Sequence, residues 1–579
     1  MVKEFFKRSW KYYLVGIIAL MLVDLAQLIV PRIMGLAIDK IEYFTKLRNE
    51  AMMMKGIAIF ALWIIALATG VFLGRFVWRL MIIGSARRFE RYALRILFEK
   101  LLYLDPAFFS KYSRGELMSR FTNDVRAVWR MLGGGVVIST DATFMGIMTI
   151  IMMGKFISWK LTWIVIIPLL FITMIVLLFG KTIHKTFAQV QESFSQLSGF
   201  TEESISAVRI IKGFSVTEKF EDIFNGKAWT NLKARMKLVL ISGLFWPLIA
   251  FIGRSSAFLS LYFGGKMAIS GGISIGEFVS FNTYLAMLVW PMTAIGWVVN
   301  IIQQGTASLK RIDEILKAQP AVKEKDDAIE IQSIKEVRLS NLNFCYPDEN
   351  RIILENINLD ISEGQFVGIV GTVGSGKSTL AKLILKLFPV ERGRIYINGF
   401  DINDIKGRSI RTKIAYVPQD GFLFSDTIYR NVTLGESYTE EEVKKALKLA
   451  GILEEIEKLP QGIYTKVGER GLTLSGGQRQ RVMIARALIR KADLYIFDDC
   501  LSAVDPETEE EIINSLRTAM KDKTLVVITH RLKVLQTADV VYVLDKGKIV
   551  EKGTHEDLMK KRGLYYDMFV RQTAAEMLS

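Results

Sequence analysis

The sequence predicts a multi-domain chain, an all-α six-helix transmembrane domain followed by an α/β domain with a largely parallel sheet. Three observations predict it. The 579 residues exceed what one core usually supports. Apolar residues make up 51% of them, too many for an ordinary soluble protein, and the excess is concentrated in the first half. From about Glu336 onward, short Val/Ile/Leu runs alternate with glycine turns and amphipathic stretches, the pattern of a parallel sheet with crossover helices.

Six apolar segments stand out, at about 12–37, 56–83, 132–157, 161–182, 238–264 and 276–303. At about 1.5 Å per residue, each is long enough for the ~30 Å hydrocarbon layer. The first follows a basic start, MVKEFFKRSW, as a signal peptide would. No small-residue cleavage site follows and further spans do, so it reads as a retained helix. The gaps alternate. Residues 84–131 and 183–237 are long, polar and helix-forming, whereas 38–55, 158–160 and 265–275 are short. The first long gap carries Arg87, Arg88, Arg91, Arg95, Arg114, Arg120, Arg126 and Arg130. Basic loops stay on the cytoplasmic side, so this gap and the N-terminus are expected in the cytoplasm. The first outside loop still holds Lys40, Lys46, Arg48 and Lys55. A charged connector around ALKAQPAVKEKDDAIEIQ divides the chain into expected domains 1–325 and 326–579.

The net charge of +16 is compatible with nucleic acid, anionic lipid or phosphorylated ligands. Its placement beside the spans favours the membrane explanation, and no nucleic-acid partner is expected. Cys345 and Cys500 are the only cysteines, too few for a disulfide framework or a metal cluster.

GTVGSGKST, Gly371 to Thr379, follows the strand FVGIV and precedes a helix, the setting a phosphate loop requires. Gly371, Gly374 and Gly376 let the backbone curl so that its N–H groups, with Ser375 and Thr379 in the same loop, face a polyphosphate. Lys377 adds a point charge, and the Ser378 hydroxyl is placed for Mg²⁺. In YIFDDC, an apolar strand delivers Asp498 to the same metal, followed by Asp499. LSGGQRQR, Leu474 to Arg481, sets Ser475, Gly476, Gly477 and Gln478 ahead of another helix, a second anion nest. One bound nucleotide has no use for two such nests, so the second serves another.

With these motifs the chain resembles the ABC ATPase family, in which two such domains pair head to tail and each ATP lies between one phosphate loop and the other domain's LSGGQ. The resemblance implies further roles. Tyr346 matches the aromatic that stacks on adenine. Gln419 in YVPQD matches the residue that touches Mg²⁺ and the attacking water. Ser502 to Asp505 match the loop that crosses the dimer interface, and His530 in VITHRL matches the histidine that contacts the γ-phosphate. TKVGERG, Thr465 to Gly471, resembles the segment through which exporters feel their coupling helices. Six spans followed by an ATPase are similar to half-transporter exporters of the multidrug type, in the bacterial cytoplasmic membrane. Their coupling tips would fall at Asp105–Tyr112 and Ile210–Phe220.

In that pattern Asp499 stands where a Glu polarises the attacking water, one methylene short. The chain's own phosphate-loop site is therefore expected to bind ATP and Mg²⁺ and turn over slowly. Its intact LSGGQ would complete a brisk site on a second, unlike half-transporter, as in heterodimeric bacterial multidrug ABC exporters. A tolerated swap in a slow homodimer is the alternative. For function, the alternatives to a multidrug exporter of hydrophobic compounds are a lipid or peptide exporter and an ATP-gated regulatory member.

Ionisable residues inside spans are costly and so mark candidate sites. Asp24, Asp141 and Arg254 qualify. Asp141 could face an inward cavity, favouring cationic substrates, or could pair with a polar group on a neighbouring helix. Arg254 could line that cavity, snorkel or pair with an acid. Trp246, Phe281, Tyr284, Met287 and Trp290 are candidates for an adaptable aromatic and Met lining.

Overall fold

The computed structural model describes residues 1–47, 50–347, 349, 351–468, 474–501, 508, 510, 512, 513, 515 and 523–578. The chain divides into two compact units: Met1–Leu101 with Arg114–Ala318, and Leu102–Ser113 with Gln319–Ser579.

In the first unit every apolar segment falls in a long helix. The helices are Val2–Lys46, Glu50–Trp78, Val136–Met153, Trp159–Ser206, Thr217–Leu259 and Ile275–Lys317. Among the described residues, five helical stretches are long and apolar enough to cross a membrane. One of them, Arg114–Ile172, holds the third expected segment and the start of the fourth. Extended backbone at Ser158 (φ −165°, ψ 122°) ends the one before Trp159 begins the other, and the Ser158 hydroxyl accepts from Leu161 N. The long polar gaps are helical extensions of the spans, Gly84–Tyr103 among them. Leu28, Leu169, Phe281, Tyr284 and Leu288 share one apolar core. Small residues let backbones meet. A Cβ on Gly276 would lie 2.0 Å from the Gly35 carbonyl oxygen, so helices Val2–Lys46 and Ile275–Lys317 touch there. Pro31 lies inside the first helix, and there the carbonyls of Leu28 and Pro31 accept from Tyr284 Oη at 2.7 Å and Ser280 Oγ at 2.8 Å.

The second unit contains two sheets. Strands β1 (Glu336–Phe344), β2 (Leu354–Ser362), β4 (Ile395–Ile397) and β5 (Phe400–Asp401) form an antiparallel sheet in the order β2-β1-β4-β5. The other sheet runs β10-β9-β3-β8-β7-β6, built from β3 (Phe366–Gly371), β6 (Ile414–Val417), β7 (Leu494–Asp498), β8 (Thr524–Ile528), β9 (Val540–Asp545) and β10 (Lys548–Gly553). Its β3, β6, β7, β8 and β9 are parallel, and β10 pairs antiparallel with β9. β3, β7 and β8 are buried along their whole length, which explains their unbroken apolar sequences.

This unit also takes in residues far away in sequence. Helix Pro106–Lys111, inside the expected tip 105–112, buries Ala107 in the core with Val337, Leu339 and Leu359. The Asp105 carboxylate accepts from Val322 N at 2.9 Å. Residues 319–335 belong here too, since Ile334 is buried in the same core, Ala328 is buried as well, and Lys325 pairs with Asp404 at 2.5 Å.

Candidate active site

The phosphate loop sits where β3 ends, between β8 and β9, at the carboxyl edge of the parallel sheet. Two of its glycines are required by space as well as by angle. Gly371 has φ 154° and a Cβ there would lie 2.0 Å from the Leu544 carbonyl oxygen; Gly376 has φ 98° and a Cβ there would lie 2.6 Å from Leu354. Gly374, at φ 76°, needs only the angle. The curl opens helix Lys377–Ile384.

A pocket of about 380 Å³ lies on this edge. It is lined by Gly374, Ser375, Gly376, Lys377, Ser378 and Thr379, with Tyr346, Glu349 and Val373, and by Gln419, Asp498, Asp499 and His530. The parallel register sets Asp498 opposite Ile528, so the carboxylates and His530 emerge from neighbouring strand ends. Ser378 Oγ donates to Asp498 Oδ1 at 2.8 Å, and Tyr346 and Thr379 hydroxyls meet at 3.0 Å. Lys377 Nζ donates to the carbonyls of Gly371 and Thr372 at 3.0 and 2.8 Å. Gln419 Nε2 donates to Asp499 Oδ2 at 3.2 Å. Asp499 itself has left-handed backbone, φ 46°, with its N–H donating to Ile528 O at 2.8 Å. Among non-glycine residues Asp and Asn enter that region most readily, which suits the residue present.

The electrostatics follow from burial. Burial pushes the Lys377 amine down, and Asp499 and Asp498 oppose this. Burial pushes Asp498 up, against the hydrogen bonds from Ser378 and Tyr416. His530 is lowered by burial and by Lys377, so a neutral imidazole faces the pocket near neutral pH.

The residues present fit a magnesium nucleotide. Among the described residues, the buried Ser375 hydroxyl has no hydrogen-bond partner, an orphan that a phosphate oxygen would satisfy. Ser378 with Asp498 forms an all-oxygen donor pair of the kind Mg²⁺ uses alongside phosphate oxygens.

The sequence reading missed one contributor. Tyr416 on β6 donates its hydroxyl to Asp498 Oδ2 at 3.0 Å, so each carboxylate oxygen is held by one hydroxyl. Only its position three residues before Gln419 hinted at this. Loss of such an orienting bond weakens metal binding by roughly ten-fold or more. Tyr416→Phe is therefore expected to lower Mn²⁺ affinity, read by electron paramagnetic resonance, while nucleotide binding without metal stays within two-fold.

Ser475, Gly476, Gly477 and Gln478 do not line this pocket. They start helix Gly476–Leu488, where Ser475 Oγ accepts from Gln478 N at 3.2 Å and Ser475 N donates back to Gln478 Oε1 at 3.0 Å, a reciprocal cap. Ser502 to Asp505, and Glu469 to Gly471 of the TKVGERG stretch, lie outside the described residues.

The first unit has its own cavity, about 460 Å³, lined by Asp24, Gln27, Arg75, Trp78, Asp141, Met145, Met287 and Trp290 among others. Asp141 faces it and also accepts from Trp290 Nε1 at 2.9 Å. Asp24 is buried, and Arg75 donates to Gln27 at 3.1 Å. Arg254 is exposed on Thr217–Leu259 and is not among the lining residues. Phe281 and Tyr284 belong to the apolar core, and the side chain of Trp246 lies outside the described residues.

Comparison with known proteins agrees with this geometry. Residues 13–292 match the ABC transporter transmembrane region and residues 354–502 the ABC transporter family model. The chain is 35% identical to the probable multidrug resistance ABC transporter ATP-binding/permease protein YheI of Bacillus subtilis, covering 98% of this chain and 96% of the relative. It is 34% identical to the multidrug resistance-like ATP-binding protein MdlA of Escherichia coli, over 98% and 95%. An ATP-dependent lipid A-core flippase of Syntrophus aciditrophicus is 35% identical over 82% of this chain and 78% of its own. The structure of a bacterial Atm1-family ABC exporter with ATP bound superposes with a TM-score of 0.80 at 26% identity, covering 97% and 99%.

Proposed function

We propose, from the premise that this chain belongs to the ABC transporter family as an exporter half, that it exports hydrophobic or amphipathic compounds beside an unlike half-transporter. Its ABC ATPase domain powers transport with ATP. The spans lie in a bacterial cytoplasmic membrane, with the ATPase domain and N-terminus on the cytoplasmic side.

The observation that carries this reading is the make-up of the nucleotide pocket. Phosphate loop, carboxylates, Gln419 and His530 line it, its own Ser475–Gln478 nest does not, and the residue at the base position is Asp499. Such a pocket is incomplete until a second chain supplies a nest. The nest of this chain is in turn free to complete the other chain's pocket, and Asp505 would cross the same interface.

Within the pocket, Lys377 and the loop N–H groups hold the phosphates, and Tyr346 supports the base. Ser378 and Asp498, with Gln419, would hold Mg²⁺, which neutralises phosphate charge. Asp499 is the acceptor for the proton of the attacking water, Gln419 orients that water, and His530 contacts the terminal phosphate. A carboxylate one methylene short is displaced by about 1 Å, and such a misplacement costs on the order of 10²-fold in rate.

The membrane cavity suits a single drug-sized ligand, being within the ~300–1,000 Å³ range of such sites. Asp141 and Trp290 are its candidate polar and aromatic contacts; Arg254, if it acts on substrate, does so from another surface. Lipid export is the second reading, supported by the flippase relative.

The test is ATP hydrolysis in lipid by the purified chain alone and together with a half-transporter carrying Glu at the base position. The pair is expected to hydrolyse ATP at least ten-fold faster than this chain alone. Equal, rapid hydrolysis by the chain alone removes the asymmetric reading.

A further inference from the structure

Where the first two spans meet their polar ends, the sequence lays charge and aromatics in register. Along helix Val2–Lys46, Phe5, Ser9 and Tyr13 recur every four residues and are buried, while Lys3, Lys7 and Lys11 recur at the same spacing and are exposed. On helix Gly84–Tyr103, Phe89, Ala93 and Leu97 make the buried stripe, and Arg88 and Arg91 are exposed beside it. The buried stripes meet, with Phe5 and Phe89 rings edge to face at 5.3 Å. Both basic rows therefore lie at one level. That level is the edge of the hydrocarbon, since the first apolar segment starts at Tyr12 and the second ends at Ile83.

The acids nearby are engaged elsewhere. Glu90 pairs with Arg87 at 2.7 Å, and Glu4 accepts from Tyr92 Oη at 3.3 Å. Among the described residues, Lys7, Arg8, Lys11, Arg88 and Arg91 have no carboxylate within ion-pair distance. The Arg88 guanidinium instead lies over the Tyr12 ring, 4.1 Å from its centroid, so helix one and helix Gly84–Tyr103 share a cation–aromatic corner. Trp10 and Tyr12 are exposed there, as interfacial anchors are.

We propose that this corner, formed by Tyr12 and Arg88 with Arg8 and Arg91 one turn away on the same two helices, is a binding site for the headgroup of an anionic phospholipid. Unpaired cations at the hydrocarbon edge call for an anion that also carries acyl chains, because the apolar faces directly adjoin them. The guanidinium fork suits a phosphodiester, and its stacking on Tyr12 fixes the direction of its donors. The bound lipid would tie together the ends of two spans that are far apart in sequence.

The full-length chain in detergent micelles is titrated with short-chain phosphatidylglycerol and phosphatidylcholine, and bound lipid is counted by native mass spectrometry. Phosphatidylglycerol is expected to bind at least ten-fold more tightly. Each base near an anionic surface contributes about a factor of five, so Arg8→Gln with Arg88→Gln should weaken phosphatidylglycerol binding by ~30-fold. Lys219→Gln with Lys233→Gln removes the same charge from exposed positions on Thr217–Leu259 and should change it less than two-fold. Arg88→Lys, which keeps the charge and loses the planar stack, should give an intermediate loss if the double variant does not fold. Equal weakening by the two double variants would show diffuse charge and overturn the site. So would tight phosphatidylcholine binding, or displacement of phosphatidylglycerol by millimolar glycerol phosphate, which would point to a free phosphate ligand.

Discussion

Gly477→Asp is expected to abolish nearly all ATP turnover by the assembled transporter while leaving nucleotide binding at this chain's own phosphate loop intact. Gly477 lies in the first turn of helix Gly476–Leu488, outside the pocket formed by Lys377, Asp498 and Asp499. A helix N-terminus attracts anions through its unpaired N–H groups. A carboxylate placed there repels a phosphate instead and fills the approach that glycine leaves open. Loss of a single donor to reacting oxygens costs roughly 10²–10³ in rate, and a repelling charge adds to that. Steady-state hydrolysis measures the first effect, and trinitrophenyl-ATP titration of the chain alone measures the second. Turnover within a few-fold of the parent would mean that this nest serves no active nucleotide site.

The second large effect is a gain. On the asymmetric reading proposed above, Asp499→Glu supplies the methylene that Asp lacks, and nucleotide trapping at each site should show this chain's phosphate-loop site accelerating by about 10²-fold. The structure sharpens the expectation in two respects. The Asp499 carboxylate is already in the pocket and is held at 3.2 Å by Gln419, so reach rather than direction is what it lacks. Its backbone is left-handed, where a longer side chain is less readily accommodated than Asp, so the gain should come with a small loss of thermal stability. A stable variant with no acceleration would place the slow step somewhere other than proton removal.

Local features were legible from the sequence because they depend on neighbours in the chain. The phosphate loop needs glycines at spacings set by its own curl, and β3, β7 and β8 announce themselves as unbroken apolar runs. The six apolar segments were equally plain, since bilayer thickness sets their length. What remained hidden rests on register between distant segments. Tyr416 reaches Asp498 only because β6 lies beside β7. Asp141 meets Trp290 from a helix more than a hundred residues away in the chain. Arg254 was a candidate on hydropathy alone, which identifies a costly residue without saying which way it faces. Residues 319–325, at the end of the expected first domain, pack with the second compact unit for a similar cause: polar connector residues are recruited by loops and charged groups that the connector itself does not predict.

The burial of Ala107 among strands of the second unit bears on how the protein is made. Residues 102–113 leave the ribosome long before β1, and hundreds of residues before β9 and β10, are synthesised. At about 5–20 residues per second, this short apolar helix waits tens of seconds for its cradle. Throughout that interval Ala107 and Phe108 lack the cover that the second unit gives them. Synthesis of β1 and β2 is what provides Ala107 with its cover, so a chain terminated before them carries a visible mark of its own incompleteness, available to chaperones and proteases.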